Sequence, residues 1–584
     1  MDADLARTGF FYRLRYLALP YFRSEERWRA IGLASLIIAL TLSIVGLNLG
    51  FTTWYNAFWN ALQKYQISLI WYNVGVFCAL ALGWVVINSA QQFCIQILQI
   101  RWRRWLTTRI IDHWMSNNTH YRLQLDAQEI DNPDQRMSDD IDFFTGQSVN
   151  LPISALQAVV TIVSYGVLLW SLSAKLVFFG VKIPGALLWV NLLYAIAGTW
   201  FVLKIGRPLF YLNNIQQKVM GDFRFELIRV RDNSETIATA HSGGAEAARL
   251  KTRFGPVVDI FHRRIYRNLY VNGFTFSFNQ AAVLVPLIVT IPAYLAKTIL
   301  VGGIIEISSA FNQTQQAFAF ILNNFSSVGS GYLSITEWRA VLDRLYTFEV
   351  SLRHHQTQAA APKITYATNS TPALDIDNLA LGLPDNRCLI ANLNLHVAPG
   401  DRMLISGPTG SGKSTLIRAI AGIWPFGAGS VHTPAGRVLF IPQRPYLPNG
   451  ALIQSLTFPY NQPLDPTRVA AVLTSVGLGR LATKLDTAEP WDRELSPGEQ
   501  QRIAFARCIL LEPDVIILDE ATSALDEDYE ALMYQTLTTA LPRATIISVG
   551  HRSTIVKYHT RRLRLTGDSA WHDEAINPIQ AAAD

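Results

Sequence analysis

Only four cysteines occur in this 584-residue chain, at positions 78, 94, 388 and 508. Cys78 and Cys94 fall in one apolar segment, ~24 Å apart at a helical rise of ~1.5 Å per residue, too far for a disulfide. No Cys or His spacing of a metal site appears. A disulfide framework and a structural zinc module are thus excluded. Internal repeats are also absent, so the chain is not a duplicated unit. The excess of basic residues is small, +6 in net charge, and gives no basis for nucleic-acid binding.

What the chain has in quantity is apolar sequence. Half of its residues are hydrophobic, with 15 Trp and 21 Tyr and a positive mean hydropathy. A membrane span needs about 20 such residues, roughly 30 Å of helix. Six segments qualify, near 30–53, 69–99, 150–173, 183–205, 271–295 and 300–328. The third and fourth are expected to be joined by a hairpin from Ser171 to Lys182, the fifth and sixth by one around Lys297. These spans exclude a soluble protein.

Charge sets the orientation. Arg101, Arg103, Arg104 and Arg109 follow the second segment, and Lys204, Arg207, Lys218, Arg224, Arg229 and Arg231 follow the fourth. The opposite loops hold only Lys64, Lys175, Lys182 and Lys297. By the positive-inside rule both termini lie in the cytoplasm, as expected for a multi-pass protein of a bacterial inner membrane. Cys388 and Cys508 then sit where thiols stay reduced. The run from Phe10 to Phe22 is too polar and Arg-rich for the core of a signal peptide. It is expected to lie as an amphipathic helix on the inner face of the lipid bilayer.

Polar residues recur at helical spacing within the spans: Asn88, Gln92, Gln96 and Gln99 on the second, Asn272, Thr275 and Asn279 on the fifth. The sixth carries Glu306, Ser309, Asn312, Gln313, Gln316 and Asn323. An unpaired amide in hydrocarbon costs roughly 4–8 kcal/mol, so these faces must meet protein or water. One reading is polar helix packing; the other is a water-filled path for a hydrophilic cargo. Glu306 is expected near the outer mouth, binding a cationic cargo or a proton, or snorkelling to the interface.

The C-terminal third carries chemistry. Gly407-Pro408-Thr409-Gly410-Ser411-Gly412-Lys413-Ser414-Thr415 fits G-x-x-x-x-G-K-[ST] between an apolar strand, Met403–Ser406, and a helix, Leu416–Ile420. Its glycines let backbone N–H groups converge on phosphates at a helix N-terminus. Lys413 then reaches the outer phosphates of ATP, and Ser414 ligates Mg²⁺. A hundred residues on, the apolar strand Val515–Leu518 ends in Asp519, suited to a Mg²⁺ contact through water, and Glu520, suited to polarise the attacking water as general base.

In this order the motifs resemble the ABC ATPase family. Leu495-Ser496-Pro497-Gly498-Glu499 resembles its signature, Gln443 its Mg²⁺-sensing glutamine, Ser523–Asp526 its D-loop and His551 its switch histidine. The resemblance implies that Ser496, Gly498, Glu499 and Asp526 of one copy complete the ATP site of another. It therefore implies a homodimer with catalytic roles for Lys413, Gln443, Glu520 and His551, Mg²⁺ being held by Ser414, Gln443 and Asp519. The sequence departs from the family twice. Pro497 removes a backbone donor from the signature, and Leu381–Arg387 offers no aromatic to stack on adenine.

Asp131–Arg136, the stretch from Trp189 through Ile205-Gly-Arg-Pro208 to Asp222-Phe-Arg-Phe225, Ile423–Phe426 and Ile441–Leu447 resemble the SbmA/BacA-type and peroxisomal ABCD-type transporters. That likeness covers residues 10–570. It implies an α-helical transmembrane domain of exporter type, with six domain-crossed spans, fused to an α/β P-loop nucleotide-binding domain. Residues 1–27 form the elbow, 28–350 the membrane domain, 351–372 a linker, 373–573 the ATPase and 574–584 a tail. Segments around Asp131–Arg136 and Asn233–Ile237 are expected to dock on the ATPase. The resemblance implies ATP-driven transport of hydrophilic solutes (peptides, glycopeptide antibiotics or cobalamin), with inward transport the leading expectation. An exporter or acyl-CoA carrier of the peroxisomal kind, and an ATP-gated channel or regulatory ATPase, are the alternatives.

Overall fold

The computed structural model describes residues 9–125, 132–174, 183–325, 335–360, 363–369, 373–385 and 387–576. They form two compact units. One holds residues up to Asp112 and Asp131–Val350; the other holds His113–Ile130 and everything from Ser351 onward.

The first unit is helical. It opens with a short helix, Phe10–Ala18, that leaves Phe11 and Tyr12 exposed and buries Leu17. Arg13 of this helix pairs with Asp343 at 2.7 Å, and Phe10 and Tyr16 pack edge-on against Trp338 and Tyr346. The long helices are Arg27–Gln63, Ile67–Met115, Ile141–Ser173, Ala186–Asp232, Gly243–Leu295 and Val301–Phe325. At ~1.5 Å per residue the 47- and 53-residue helices exceed 70 Å, over twice a hydrocarbon core, so they run on well past a membrane. Among the described residues, five helices are long and apolar enough to cross a membrane by length and composition. Val301–Phe325 is long enough, but Glu306 and its amides leave it less apolar than the other predicted spans. Most of the predicted 171–182 hairpin lies outside the described residues.

Polar residues tie these helices together. Gln91 donates to Thr41 at 2.7 Å, Asn191 to the carbonyl of Phe311 at 3.1 Å, and Thr52 lies 3.2 Å from both Tyr165 and Ser309. Around them pack Leu169, Leu187, Ile307 and Ala310.

The second unit is built on two sheets. Strands β1 (Ile364–Thr368), β2 (Leu374–Gly382), β3 (Cys388–Val397) and β5 (Gly427–Thr433) form one, in the order β1-β5-β2-β3. The larger sheet contains β4 (Arg402–Ser406), β6 (Val438–Ile441), β9 (Val515–Asp519), β10 (Thr545–Val549), β11 (Arg561–Leu565) and β12 (Trp571–Ala575), ordered β12-β11-β4-β10-β9-β6. All its pairs are parallel except β11 with β12. A two-stranded ribbon joins β7 (Gly450–Ala451) to β8 (Ala488–Glu489). The central strands read as unbroken apolar runs because both faces are covered, a feature of buried parallel sheets: Val515–Leu518 and Ile546–Ile547 are all at or below 1 % exposure.

Three expected boundaries shift. The linker is not a loop: helix Ile335–Ala360 runs through its first half, and β1 already belongs to the ATPase sheet through its pairing with β5. At the other end, β12 reaches Ala575 and holds the start of the expected tail in the large sheet. The third is the border between the units. Residues 131–136 group with the helical unit, while His113–Ile130 groups with the ATPase. Two left-handed asparagines, Asn117 and Asn118, break the long second helix and start a short one, Thr119–Gln124. Leu125 then packs on the ATPase core around Ile420 and Trp424, and Gln356 closes the turn by donating to Ser116 at 2.6 Å. Asn, with Asp, is among the few residues besides Gly that adopt this backbone, so the Asn-Asn pair was the available signal.

Candidate ATP site

The loop after β4 is shaped by glycines. Gly407, Gly410 and Gly412 all have positive φ, and a Cβ on Gly407 would lie 2.3 Å from the carbonyl oxygen of Leu565. Gly412 caps helix Lys413–Ile420, whose first N–H groups face the loop. Lys413, 6 % exposed, donates to the carbonyls of Gly407 and Pro408 at 2.9 Å. Burial pulls its pKa down, against the upward pull of Glu520 and Asp519. Ser411 keeps a buried hydroxyl without a hydrogen-bond partner. Pro408, Thr409 and Thr415 complete the loop, Thr415 being buried in the helix. A glycine loop leading into a helix N-terminus, a buried cation and an unpartnered hydroxyl fit the phosphates of a nucleotide.

Beside it, Ser414 Oγ donates to Asp519 Oδ1 at 3.3 Å. Burial pushes the Asp519 carboxyl above its usual range, outweighing the Ser414 hydrogen bond; the Glu520 charge adds to the rise. A divalent cation between Ser414 and Asp519 would reverse that, so this oxygen pair fits Mg²⁺. Glu520 has φ 49, in the left-handed region that non-glycine residues rarely occupy, and its N–H is held by Val549 O. One carboxylate oxygen accepts from Gln443 Nε2 at 3.1 Å; the other lies 3.4 Å from His551 Nε2. Three predicted residues from three loops therefore meet at one carboxylate.

The signature residues lie elsewhere on the surface. Ser496 caps helix Pro497–Leu511 in a reciprocal box with Glu499, whose carboxylate takes both the Ser496 N–H and Oγ–H at 3.0 Å. Burial raises the Glu499 pKa, but hydrogen bonds from Arg480 and Ser496 bring it below the usual range. Pro497 stands at the first helical position, where its missing N–H would have had no intrahelical acceptor. The departure from the family pattern thus costs the helix nothing. A Cβ on Gly498 would meet Ala524 O at 3.1 Å. Asp526 caps helix Glu527–Ala540 by accepting from Tyr529 N at 2.8 Å.

Residues not singled out by the motifs support these loops. Gln501, Glu530 and Arg552 join them by hydrogen bonds, and Arg507, 3 % exposed, donates to Ser455 O at 2.6 and 2.9 Å and to Tyr446 O at 3.1 Å. Behind the switch loop, His559 accepts from or donates to Ser548 Oγ at 2.8 Å through Nε2 and meets Ile555 O through Nδ1. Burial pulls its pKa down to about 4. A histidine kept neutral in the fold but protonated when unfolded withdraws stability as pH falls from its ordinary 6.5 toward 4. The full withdrawal is roughly 3 kcal/mol at ~1.4 kcal/mol per pKa unit. Hydrogen exchange at the β10 amides of the full chain is therefore expected to quicken, beyond the intrinsic rate, as pH drops from 6.5 to 4.5. His559→Gln is expected to flatten that dependence.

Of the amides predicted on the spans, Gln92, Gln96, Asn279, Asn312 and Gln316 are exposed on the single chain, and Asn88, Gln99 and Gln313 are half-buried. Gln99 donates to Gly146 O at 3.3 Å, Gln316 to Asn312 Oδ1 at 3.1 Å, and Asn88 to its own helix at Trp84 O. Glu306 differs. It is 5 % exposed and accepts from Asn56, which in turn accepts from Asn60. Glu306, expected near the outer mouth, is thus a carboxylate buried between two helices, with Asn56 of the facing helix as its donor and Asn60 holding Asn56.

Comparison with known proteins agrees with this architecture. Residues 17–295 match the ABC transporter transmembrane region 2 and residues 390–523 the ABC transporter ATPase family. An uncharacterized ABC transporter ATP-binding protein of Haemophilus influenzae is 34 % identical over 92 % of this chain and 89 % of its own length. The mouse lysosomal cobalamin transporter ABCD4 is 28 % identical over 84 % of this chain and 85 % of its own. A bacterial Atm1-family ABC exporter with ATP bound superimposes with a TM-score of 0.65, covering 96 % of both chains at 18 % identity.

Proposed function

We propose that this chain, which belongs to the ABC transporter family and so couples ATP hydrolysis to transport across a membrane, moves hydrophilic solutes inward across a bacterial inner membrane as a homodimer. The cargo class covers peptides, glycopeptide antibiotics and cobalamin. The observation that carries it is the sorting of amides in the helical unit. Gln91, Asn191 and Thr52 already supply the polar packing between helices, whereas Gln92, Gln96, Asn279, Asn312 and Gln316 remain exposed. Exposed amides are too costly to leave in lipid, so they face water or a second copy. A lipid or acyl cargo does not call for such a lining. The cobalamin carried by the ABCD4 relative is a hydrophilic molecule of this kind.

The catalytic reading follows from the cradle. The loop Gly407–Gly412 and Lys413 would hold the phosphates of ATP, and Ser414, Gln443 and Asp519 would hold Mg²⁺. The metal, when bound, neutralises charge developing on the phosphates. Glu520 orients the attacking water and takes its proton, and His551 holds Glu520 and the outer phosphate in register. Ser496 and Gly498 of a second copy close the site, so hydrolysis needs two chains.

Uptake of labelled cobalamin and of a cationic peptide tests the cargo. The host is a bacterium stripped of its own importers and expressing either wild type or Glu520→Gln. Uptake by wild type alone is expected. Failure of both to take up either probe, with normal ATPase of the purified protein, would point to export or to an acyl cargo.

A further inference from the structure

Ser496 has one hydroxyl proton, and in the single chain that proton is turned toward its own helix. Oγ donates to Glu499 Oε2 at 3.0 Å, and the same oxygen takes the Ser496 N–H at 3.0 Å. To meet the outer phosphate of a nucleotide on a second copy, the hydroxyl has to let go of Glu499. An ionised carboxylate one hydrogen bond away opposes this twice. It competes for the proton through a charge-assisted bond, and it repels the phosphate. Among the described residues, two cations come within 4.0 Å of this carboxylate, both on Oε1. Arg502 stays 4.0 Å away. Its fork is taken up by Gly477 O at 2.9 Å and Val476 O at 3.4 Å, and it lies over the Tyr529 ring at 4.5 Å. Arg480, from the short helix Gly479–Lys484, is the close partner and donates directly to Oε1. Its side chain is 60 % exposed, so Glu499 holds it where packing does not.

We propose that Arg480 is a positioning residue for the ATP held by a second copy: paired with Glu499, it cancels the carboxylate's charge and releases the Ser496 hydroxyl to the outer phosphate. The inference deepens the proposed function and rests on its composite site. The two oxygens of one carboxylate divide the work. Oε1 faces the guanidinium, and Oε2 faces the serine. A cation on Oε1 withdraws charge from Oε2 and loosens its hold on the hydroxyl proton. The Ser496 N–H remains on Oε2, so the helix keeps its cap while the hydroxyl turns. Without Arg480, a net negative charge would stand beside the serine at the surface that meets a triphosphate. Like charges brought together across an interface oppose its closure. The cost falls on nucleotide capture by the closed pair of chains, and Glu520 is untouched.

The experiment is an ATP titration of hydrolysis by the full-length protein in nanodiscs, with thermal melting of each sample. The chains are wild type, Arg480→Ala, Glu499→Gln, the double variant, Arg480→Lys and Ser496→Ala. Arg480→Ala is expected to raise the KM for ATP about tenfold in the wild-type chain, and less than about twofold in the Glu499→Gln chain, where no charge is left to cancel. At saturating ATP its kcat is expected to stay within about threefold of wild type, the coupling being one of capture. Arg480→Lys keeps the cation and is expected to hold KM within about threefold. An equal rise of KM in both backgrounds would overturn the proposal, the mark of a residue that only shapes its turn. So would no rise in either, or a Lys variant as impaired as the Ala variant with wild-type melting. Ser496→Ala separates the two levels. If it keeps the wild-type KM and kcat, the composite-site reading itself fails; if it is impaired while Arg480→Ala behaves as wild type, only the role of Arg480 fails.

Discussion

Glu520→Gln is expected to lower steady ATP hydrolysis by at least about 100-fold, the scale of a lost general base, while ATP still binds and holds two copies closed. The amide is nearly isosteric with the carboxylate, so the contacts around it can largely persist. Gln443 at 3.1 Å can turn its own amide to match, and the 3.4 Å approach of His551 carries no metal or backbone link that the substitution breaks. What disappears is the acceptor for the water proton, equivalent to about 2.7 kcal/mol of barrier at that rate loss. Binding rests on different residues. Lys413, the glycine cradle and the helix start at Gly412 are unaltered. The expected signature is thus a split: near-normal ATP affinity, a slow or absent turnover, and a dimer that persists in size-exclusion chromatography with Mg²⁺ and ATP. Normal turnover would remove Glu520 from its assigned role, and a lost affinity would mean that its left-handed backbone shapes the cradle itself.

The ATPase was legible because its chemistry needs fixed spacing along the chain. Strand, glycine loop and helix follow one another in sequence, and the structure places Lys413, Ser414 and Asp519 together as that order requires. Glu520 with Gln443 and His551 was legible only through the family likeness, since nothing in a lone glutamine at 443 announces a carboxylate partner 77 residues away. Gln501, Arg552 and His559 were overlooked for a related reason. Each acts through backbone groups or hydroxyls of loops and strands away from its own position, and such partners leave no residue-type signature. In the membrane half, the length of the apolar runs located the helices, but the spacing of polar residues could not separate Gln91 from Gln92. Neighbouring positions on one helix differ by 100°, and which face meets a partner is decided by tertiary packing. Glu306 shows the same limit: its donor Asn56 comes from a helix 250 residues earlier.

Replacing Asn312, Gln313 and Gln316 together by Leu is expected to abolish transport of hydrophilic solutes while ATP affinity stays unchanged. Asn312 and Gln316 stand one turn apart, hydrogen-bonded to each other and exposed on the single chain; Gln313 is half-buried between them. Their neighbours Thr314 and Gln315 are buried, so the helix already packs on its other face without them. Three leucines therefore have no hydrogen bond to another helix to break among the contacts described. A leucine side chain adds roughly 1.5–3 kcal/mol of preference for apolar surroundings, which makes a wetted stripe dry and removes the donors and acceptors a polar cargo exchanges for its water. Packing glue would behave otherwise. If the stripe served only to join helices, the triple variant would lower the thermal stability of the helical unit, and transport would fall only in step with folded protein. The discriminating measurement is uptake normalised to folded protein, alongside ATP binding to the same sample. Lost uptake with intact folding assigns the stripe to the cargo path, and unchanged uptake returns it to helix packing.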